Sequence, residues 1–121
     1  MTQMETTTRG SISDLAAIDP ELRAEDAYAR EGHTARTLVR ESDVRIVLVV
    51  MKAGARIAEH HANETAVVQA LTGHVRLRLP DKTADLPAGR LLALDPGLQH
   101  DVEAIVDSAF LLTLGWRAGS R

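Results

Sequence analysis

The sequence predicts an all-β domain: an antiparallel barrel of short strands preceded by a short, partly helical segment. From residue 34 onward, short apolar runs alternate with Gly, Pro and Asp turn residues, a pattern typical of a sandwich or barrel. Val75–Leu79 alternates strictly between apolar and basic side chains, as in a strand with one face in solvent. No sustained helical periodicity follows Thr34. We therefore expect residues 34–117 to form the barrel and residues 1–33 an N-terminal arm.

The N-terminal arm is predicted to contain one short helical region. Met1–Gly10 is polar, rich in Thr and without periodicity, which indicates a loose segment. Ser13 is the predicted N-cap of a helix containing Leu15 to Ile18. Pro20 is expected to end that helix, or to start another turn that runs towards Tyr28.

The barrel segment divides into apolar runs, each closed by turn residues. The predicted strands are 34–41, 44–52, 65–71, 75–79, 83–86, 91–94, 100–105 and 109–116. Within the second strand, Ile46–Met51 is apolar on both faces, so its outer face needs a cover. A second subunit or the N-terminal segment would supply that cover. We expect a homodimer, because two-fold self-association is the commonest solution.

Composition excludes several classes of protein. The chain has 121 residues, the size of one domain, and no Cys, which removes disulfides and thiolate metal sites. Its longest apolar run, Ile46–Met51, is far shorter than the ~20 residues of a membrane helix. The first thirty residues lack the apolar core of a secretory signal, so we expect a cytoplasmic protein that does not bind membranes.

Charge and aromatic content argue against nucleic acid as a partner. The net charge is −3, and the basic residues are scattered singly among acidic ones. The aromatic residues are Tyr28, Phe110 and Trp116, too few for the stacking platforms of a typical nucleic-acid site. No glycine-rich phosphate-binding motif is present, so no nucleotide cofactor is expected. A small-molecule ligand is the expected partner.

A first glycine-framed segment places a histidine in an informative context. Gly54 is followed by Ala-Arg-Ile-Ala-Glu, then His60-His61, and Gly73 closes the next strand. This spacing resembles the first motif of the cupin superfamily: a Gly, five residues, H-x-H, three or four residues, Glu, six residues and Gly. In this comparison Gly54, His60 and Gly73 match the motif.

A second segment resembles the other cupin motif: a Gly, five residues, P-x-G, two residues, His, three residues and Asn. Gly89, Gly97 and His100 match it, and Asp95 stands in the usual Pro position. The resemblance covers residues 53–104. It implies a double-stranded β-helix, or jelly roll, whose interior holds a ligand or a metal ion near His60 and His100.

The resemblance supplies only half of the family's metal ligands. The second His, the Glu and the Asn of the motifs fall on Ala62, Ala66 and Ala104. His60 and His100 remain, and two imidazoles alone bind a metal weakly. If a bulge or turn reorients their side chains, His61 and Glu64 would complete the site. Imidazole ligands favour a divalent transition metal, namely Zn, Fe, Mn, Ni or Cu, over Mg or Ca.

Two functions therefore stay open. In the first, the barrel binds a small molecule by shape and a few polar contacts, with His60 and His100 as hydrogen-bonding groups. In the second, the protein is a divalent-metal-dependent enzyme, and the resemblance implies dioxygenase, isomerase or cyclase chemistry. The missing ligands favour the first function.

The alternation of side chains along the predicted strand 65–71 places Val68 and Ala70 inside the barrel and Gln69 outside. An interface or structural role suits an outward amide among apolar residues.

Overall fold

The computed structural model describes residues 10–115, apart from the side chains of Glu59 and His60. Residues 1–9 and 116–121, which include most of the expected loose segment and Trp116, lie outside the described residues. Helix α1 is Leu15–Arg23 and helix α2 is Asp26–Glu31. The strands within the described range are β1 (His33–Arg40), β2 (Val44–Met51), β3 (Arg56–His60), β4 (Ala66–Thr72), β5 (His74–Arg78), β6 (Thr83–Pro87), β7 (Leu91–Leu94), β8 (His100–Ala104) and β9 (Ser108–Gly115).

The strands form two sheets, in which each paired strand runs antiparallel to its neighbour. One sheet has five strands in the order β1-β2-β9-β4-β7, and the other has four in the order β3-β8-β5-β6. β1–β2 and β5–β6 are hairpins, and the other paired strands are distant in the sequence, as in a jelly roll. The predicted all-β antiparallel barrel is confirmed. No helix among residues 10–115 has the length and apolar composition needed to cross a membrane.

The inward-facing side chains of both sheets form one apolar core. The alternation predicted for β5 is confirmed, since Val75 and Leu77 are fully buried while Arg76 and Arg78 reach the outer face. The core cluster continues through the other strands, with Val49, Met51, Val68, Leu86, Leu94, Val102 and Phe110 among its buried members. This burial fixes the register of each strand, because a slip by one residue would turn its apolar set outward.

Ion pairs cover the outer face of the four-stranded sheet. They join Arg56 to Asp101 (2.9 Å), Arg76 to Asp85 (2.8 Å) and Arg78 to Glu103 (2.6 Å). Hydrogen bonds from Arg76, and then from His74, hold the pKa of the Asp85 carboxyl below its ordinary value. Arg76 and Arg78 thus lie on the solvated face that the alternation of Val75–Leu79 predicts.

The N-terminal helices cover the outer face of β2. Leu22 of α1 and Tyr28 of α2 are buried in a second apolar cluster with Leu48, Val50 and Ala109. Of the two covers that the sequence left open for β2, the structure shows the N-terminal segment in place. The second apolar face of β2 is therefore explained within one chain.

The start of helix α1 differs from the sequence prediction. The N-cap is Asp14 rather than Ser13, and the Asp14 carboxylate accepts a hydrogen bond from the backbone N–H of Ala17 at 3.3 Å. Capping requires a side-chain acceptor on the residue directly before the first helical one, and Ser13 lies one position too early.

Helix α1 also continues through Pro20 instead of ending there. The proline ring removes a single backbone donor from the helix, while the Pro20 carbonyl still accepts from the N–H of Ala24 at 3.2 Å. Complete burial of Leu22 holds the following turn against the sheet. Here tertiary packing outweighs the local preference of the proline.

Strand β3 is not among the predicted strands. Its sequence, Arg56-Ile57-Ala58-Glu59-His60, carries one large apolar residue and no clear alternation. It forms because it pairs with β8, with Ile57 opposite Val102 and His60 opposite His100. Pairing across the sheet, rather than local propensity, makes this segment extended.

Candidate functional site

A cavity of about 200 Å³ lies inside the barrel. Side chains from both sheets form its wall: Ala35 from β1, Val47 and Val49 from β2, Ile57 from β3, Val68 from β4, His100 and Val102 from β8, and Phe110 and Leu112 from β9. Because successive strand residues point to opposite faces, the lining residues of β2, β8 and β9 are two positions apart. The alternation of side chains along each strand therefore decides which residues line the cavity.

His100 is the polar residue that the described lining contributes to the cavity. It begins β8, and only 4% of its surface is exposed. Its Nδ1 lies 3.0 Å from the carbonyl oxygen of Leu98. Since a carbonyl only accepts, Nδ1 carries a proton and donates. In a neutral ring with this tautomer, Nε2 is the nitrogen with the lone pair that metal coordination requires.

The loop before β8 holds the His100 ring in place. Asp95-Pro96-Gly97-Leu98 forms a turn in which the Leu98 N–H donates to the Asp95 carbonyl at 3.1 Å. Gly97 adopts a φ of 80°, a conformation that glycine takes without steric cost. Its N–H donates to the carbonyl of Ala62 at 2.7 Å, which ties this loop to the one after β3. The second glycine motif therefore positions Leu98, and Leu98 orients His100.

His60 lies opposite His100 on the neighbouring strand. It is the last residue of β3, and its Cα is the register partner of the His100 Cα. The ladder shifts between Ile57 and His60, so a bulge or irregularity precedes the histidine. At the level of the backbone, the pairing of β3 with β8 brings together the two histidines that match the cupin motifs.

The remaining metal-ligand candidates lie in the loop after β3. His61 is exposed and Glu64 is half-buried. Ala66 and Ala104, which stand at two ligand positions of the family, are buried core residues, and Ala62 packs against the same core. Among the side chains that the structure describes, no three His, Asp or Glu residues are grouped as a metal site. The described donors do not make a complete site, and metal binding by His60, His61, Glu64 and His100 stays a prediction.

Most of the cavity wall was not singled out by sequence reasoning. Val68 was predicted to face inward and Gln69 outward; Val68 is 1% exposed and Gln69 lies on the surface, so both predictions are confirmed. Phe110 and Leu112 lie in the predicted strand 109–116, but neither was assigned to the inner or the outer side of the barrel. The signal that would have found them is parity, because the outward Leu111 and Thr113 alternate with them along β9.

Several solved structures share this fold. A conserved protein of unknown function from Streptococcus pyogenes is 21% identical, with 98% of each chain covered and a TM-score of 0.73. A cupin superfamily protein from Desulfitobacterium hafniense is 16% identical, with 70% of this chain and 78% of that chain covered and a TM-score of 0.67. These similarities establish the cupin fold.

Salicylate 1,2-dioxygenase from Pseudoaminobacter salicylatoxidans is a larger protein with the same fold in part of its chain. Its structure with gentisate is 15% identical, with 84% of this chain and 32% of that chain covered and a TM-score of 0.75. No curated protein is significantly similar to the chain.

A family model provides the assignment. The model of the AraC-like ligand binding domain matches residues 46–118, more than half of the chain. The match begins in β2 and includes both glycine motifs, His60 and His100. The chain has the cupin fold and belongs to the family of AraC-like ligand binding domains.

Proposed function

We propose that the protein binds a small molecule inside the barrel, in the cavity beside His100. The observation that carries this proposal is a buried, oriented imidazole in the wall of an otherwise apolar cavity. Ligand sites typically combine apolar walls with a few placed polar groups. The family to which the chain belongs is described as a ligand binding domain, which supports the same function.

His100 has a specific role in this proposal. The Leu98 carbonyl fixes the ring, so little ordering is needed when a ligand contacts the imidazole. The cavity wall around it contributes shape and apolar contact. His60, opposite His100 in the register, is proposed as the second polar group at the site.

Divalent transition-metal binding is the second candidate function. The observation in its favour is the paired register of His60 and His100 across β3 and β8. A Zn, Fe, Mn, Ni or Cu ion would take both imidazoles, and His61, Glu64 or water would complete its shell. Dioxygenase, isomerase or cyclase activity belongs to this candidate alone. Homodimer formation and a cytoplasmic location also stay predictions.

One variant, His100→Ala, tests both candidates. We expect fragments that raise the Tm of the wild-type protein to lose at least about fivefold in affinity for the variant, because a buried ligand group would lose its partner. The matched control is His74→Ala. His74 lies on the outer face, where its Nε2 is 2.9 Å from Asp85 Oδ1, and its loss leaves the cavity unchanged.

The same two variants separate ligand binding from metal binding. Elemental analysis is done on protein purified without a His tag and incubated with each of the five ions. Stoichiometric metal that is lost in His100→Ala and kept in His74→Ala would establish the metal site. A wild-type protein that stays metal-free would end the metal candidate. Fragments that bind both variants equally would contradict the cavity as the ligand site.

A further inference from the structure

Two arginines face each other at the end of the β1–β2 hairpin. Arg40 of β1 is the register partner of Arg45 of β2. Facing residues of an antiparallel pair project to the same side of the sheet, with Cβ atoms about 4.5–5.5 Å apart, and like charges in these positions destabilise the pairing. Sequences depart from such local rules mainly at functional sites. The arginine pair therefore calls for a functional explanation.

Strand parity places this pair on the inner side of the sheet, beside the cavity. Val47 and Val49 of β2 line the cavity, and Arg45 has the same parity. Arg45 is opposite Leu114 of β9, and Leu112, two positions earlier on β9, also lines the cavity. Because a strand rises about 3.4 Å per residue, the Cα atoms of Arg45 and Val47 are about 7 Å apart. The arginine pair thus lies at the edge of the cavity.

The barrel is open at this edge. Val49 and Phe110 are only 6% and 3% exposed, whereas Val47 and Leu112, further towards the arginine pair on the same two strands, are half-buried. Ala35 of β1 lines the cavity and is nevertheless exposed. A ligand that enters from this side meets an apolar cavity wall and, at its margin, two cationic side chains.

The guanidinium groups at this margin suit an anion. Arg40 is exposed, and within residues 10–115 it forms no ion pair, not even with Glu41 or Asp43 of the adjoining turn. Arg45 is half-buried and already has an interaction within the chain. Because a guanidinium carries five N–H donors, Arg45 is able to contact a second acceptor as well. Arginine binds carboxylate and phosphate groups through paired hydrogen bonds.

We propose that Arg40 and Arg45 bind the charged group of a small organic anion, a carboxylate or a phosphate monoester, whose apolar part enters the cavity. An apolar cavity of about 150 Å³ is large enough to bind benzene. The cavity here, at about 200 Å³, has room for an apolar part the size of one six-membered ring. The proposal rests on the proposed ligand-binding function and narrows it to a chemical class. Recognition of the charge is assigned to the arginines and not to the histidines of the site.

Four probes test the class: phenylacetate, 2-phenylethanol, acetate and phenyl phosphate. Binding is measured from the backbone amide NMR signals of the barrel strands. We expect phenylacetate to bind at least about tenfold more tightly than 2-phenylethanol, which has the same ring and no charge. It should exceed acetate, which has the charge and no ring, by a similar factor. The comparison of phenylacetate with phenyl phosphate identifies the preferred anionic group.

The variant Arg40→Gln tests the role of the arginine pair. We expect it to bind phenylacetate about fivefold more weakly and 2-phenylethanol with less than about twofold change. Its free energy of unfolding without ligand should be unchanged or higher, because a like-charge contact is removed. The matched control is Arg90→Gln, which removes the same charge from an exposed position. Arg90 contacts Ala70, at the end of β4 away from Leu114.

Cavity-filling variants show whether the apolar part of the probe binds inside the barrel. Val68→Phe fills the cavity, and the matched control Val67→Phe adds the same ring to the adjacent, outward position of β4. Ala35→Trp gives a second test that disturbs the core less, because Ala35 lines the cavity from an exposed position. We expect phenylacetate binding to be lost in Val68→Phe and Ala35→Trp and kept in Val67→Phe.

The outcomes distinguish the anion class from the proposed function. If phenylacetate and 2-phenylethanol bind equally and both filling variants abolish their binding, the anion class is overturned and the barrel remains the ligand site. Equal loss of phenylacetate affinity in Arg40→Gln and Arg90→Gln, or a loss of stability in Arg40→Gln alone, would overturn the role of the arginine pair. Phenylacetate binding that both filling variants retain would overturn the anion class and the proposed site together. If no probe binds, the class is overturned, while the fragment comparison with His100→Ala still decides the function.

Discussion

At the residue scale, Gly73 shows why the last position of the first cupin motif is occupied by a glycine in this structure. It lies between β4 and β5 with a φ of 76°. The Ser108 hydroxyl packs over it, accepting from the His74 N–H at 2.9 Å and donating to the Val106 carbonyl at 2.7 Å. A Cβ on Gly73 would overlap the Asp107 carbonyl and the Ser108 hydroxyl. The first glycine motif therefore allows the loop after β8 to close over the β4–β5 turn.

We predict that Gly73→Ala lowers the free energy of unfolding by more than about 2 kcal/mol. A left-handed conformation costs a non-glycine residue about 1–2 kcal/mol, and displacement of the Asp107–Ser108 backbone adds to that cost. Gly89→Ala is the matched control, since Gly89 has a φ of 95° and nothing near its Cβ position. Urea denaturation measures both variants, and equal losses would contradict a role for the close approach at Gly73.

The same residue marks a limit of sequence reasoning. The resemblance to the first cupin motif places Gly73 at a glycine position of that motif. It does not identify the atoms that exclude a side chain, because Ser108 is distant in the sequence and meets Gly73 only after β8 and β9 have formed. His100 is similar: its interior position was predicted, but the orientation of its ring depends on the Leu98 carbonyl.

At the scale of elements, strands with internal patterns were predictable and strands made by pairing were not. The alternation of β5 predicted a strand with one solvent face, which the burial of Val75 and Leu77 confirms. Strand β3 has no such pattern and was missed, since only its pairing with β8 makes it extended. At Pro20 the sequence left open an end of helix α1 or a further turn towards Tyr28. The burial of Leu22 against the sheet, which favours the continued helix, could not be read from the local sequence.

We predict that the N-terminal helices stabilise the barrel rather than merely precede it. Leu22 is fully buried in the cluster that covers β2, so Leu22→Ala should lower the free energy of unfolding by about 2–4 kcal/mol. Ile12 is 98% exposed, and Ile12→Ala serves as the control with a change below about 0.5 kcal/mol. Urea denaturation of the two variants provides the measurement. If they unfold alike, the helices do not contribute to barrel stability.

At the scale of the whole molecule, the two outer faces of the barrel differ in charge. The four-stranded sheet carries a ladder of ion pairs on its outer side. By contrast, β4, β7 and β9 of the five-stranded sheet contain no charged residue. The N-terminal helices cover β2 but leave Leu91 of β7 60% exposed.

The cavity also depends on the whole barrel, because six strands from the two sheets supply its wall.

The homodimer was predicted because both faces of β2 are apolar, but the N-terminal helices cover the outer face of β2. The uncharged outer face of β4, β7 and β9 is therefore the better candidate for the dimer interface. Register sets Gln69 beside Leu91 and Val67 beside Ala93, and Val67 is also paired with Thr113 of β9. Facing strand residues of equal parity lie on one side of a sheet, so these side chains form a continuous outer surface. Two copies that pack this surface together by a two-fold axis would bury apolar area without burying a charge. Gln69 would then have the interface role expected for it.

We predict a dimer at micromolar concentration that Leu91→Lys weakens. A lysine at the centre of an uncharged, self-complementary interface meets its own copy, so the Kd for dimerisation should rise by about tenfold or more. Thr83→Lys is the matched control: it places the same side chain on an exposed position of β6, in the charged sheet, and should leave the mass unchanged. Light scattering coupled to gel filtration measures both variants. A monomeric wild-type mass would contradict the dimer. If the dimer stays intact in Leu91→Lys, β7 is not at the centre of the interface.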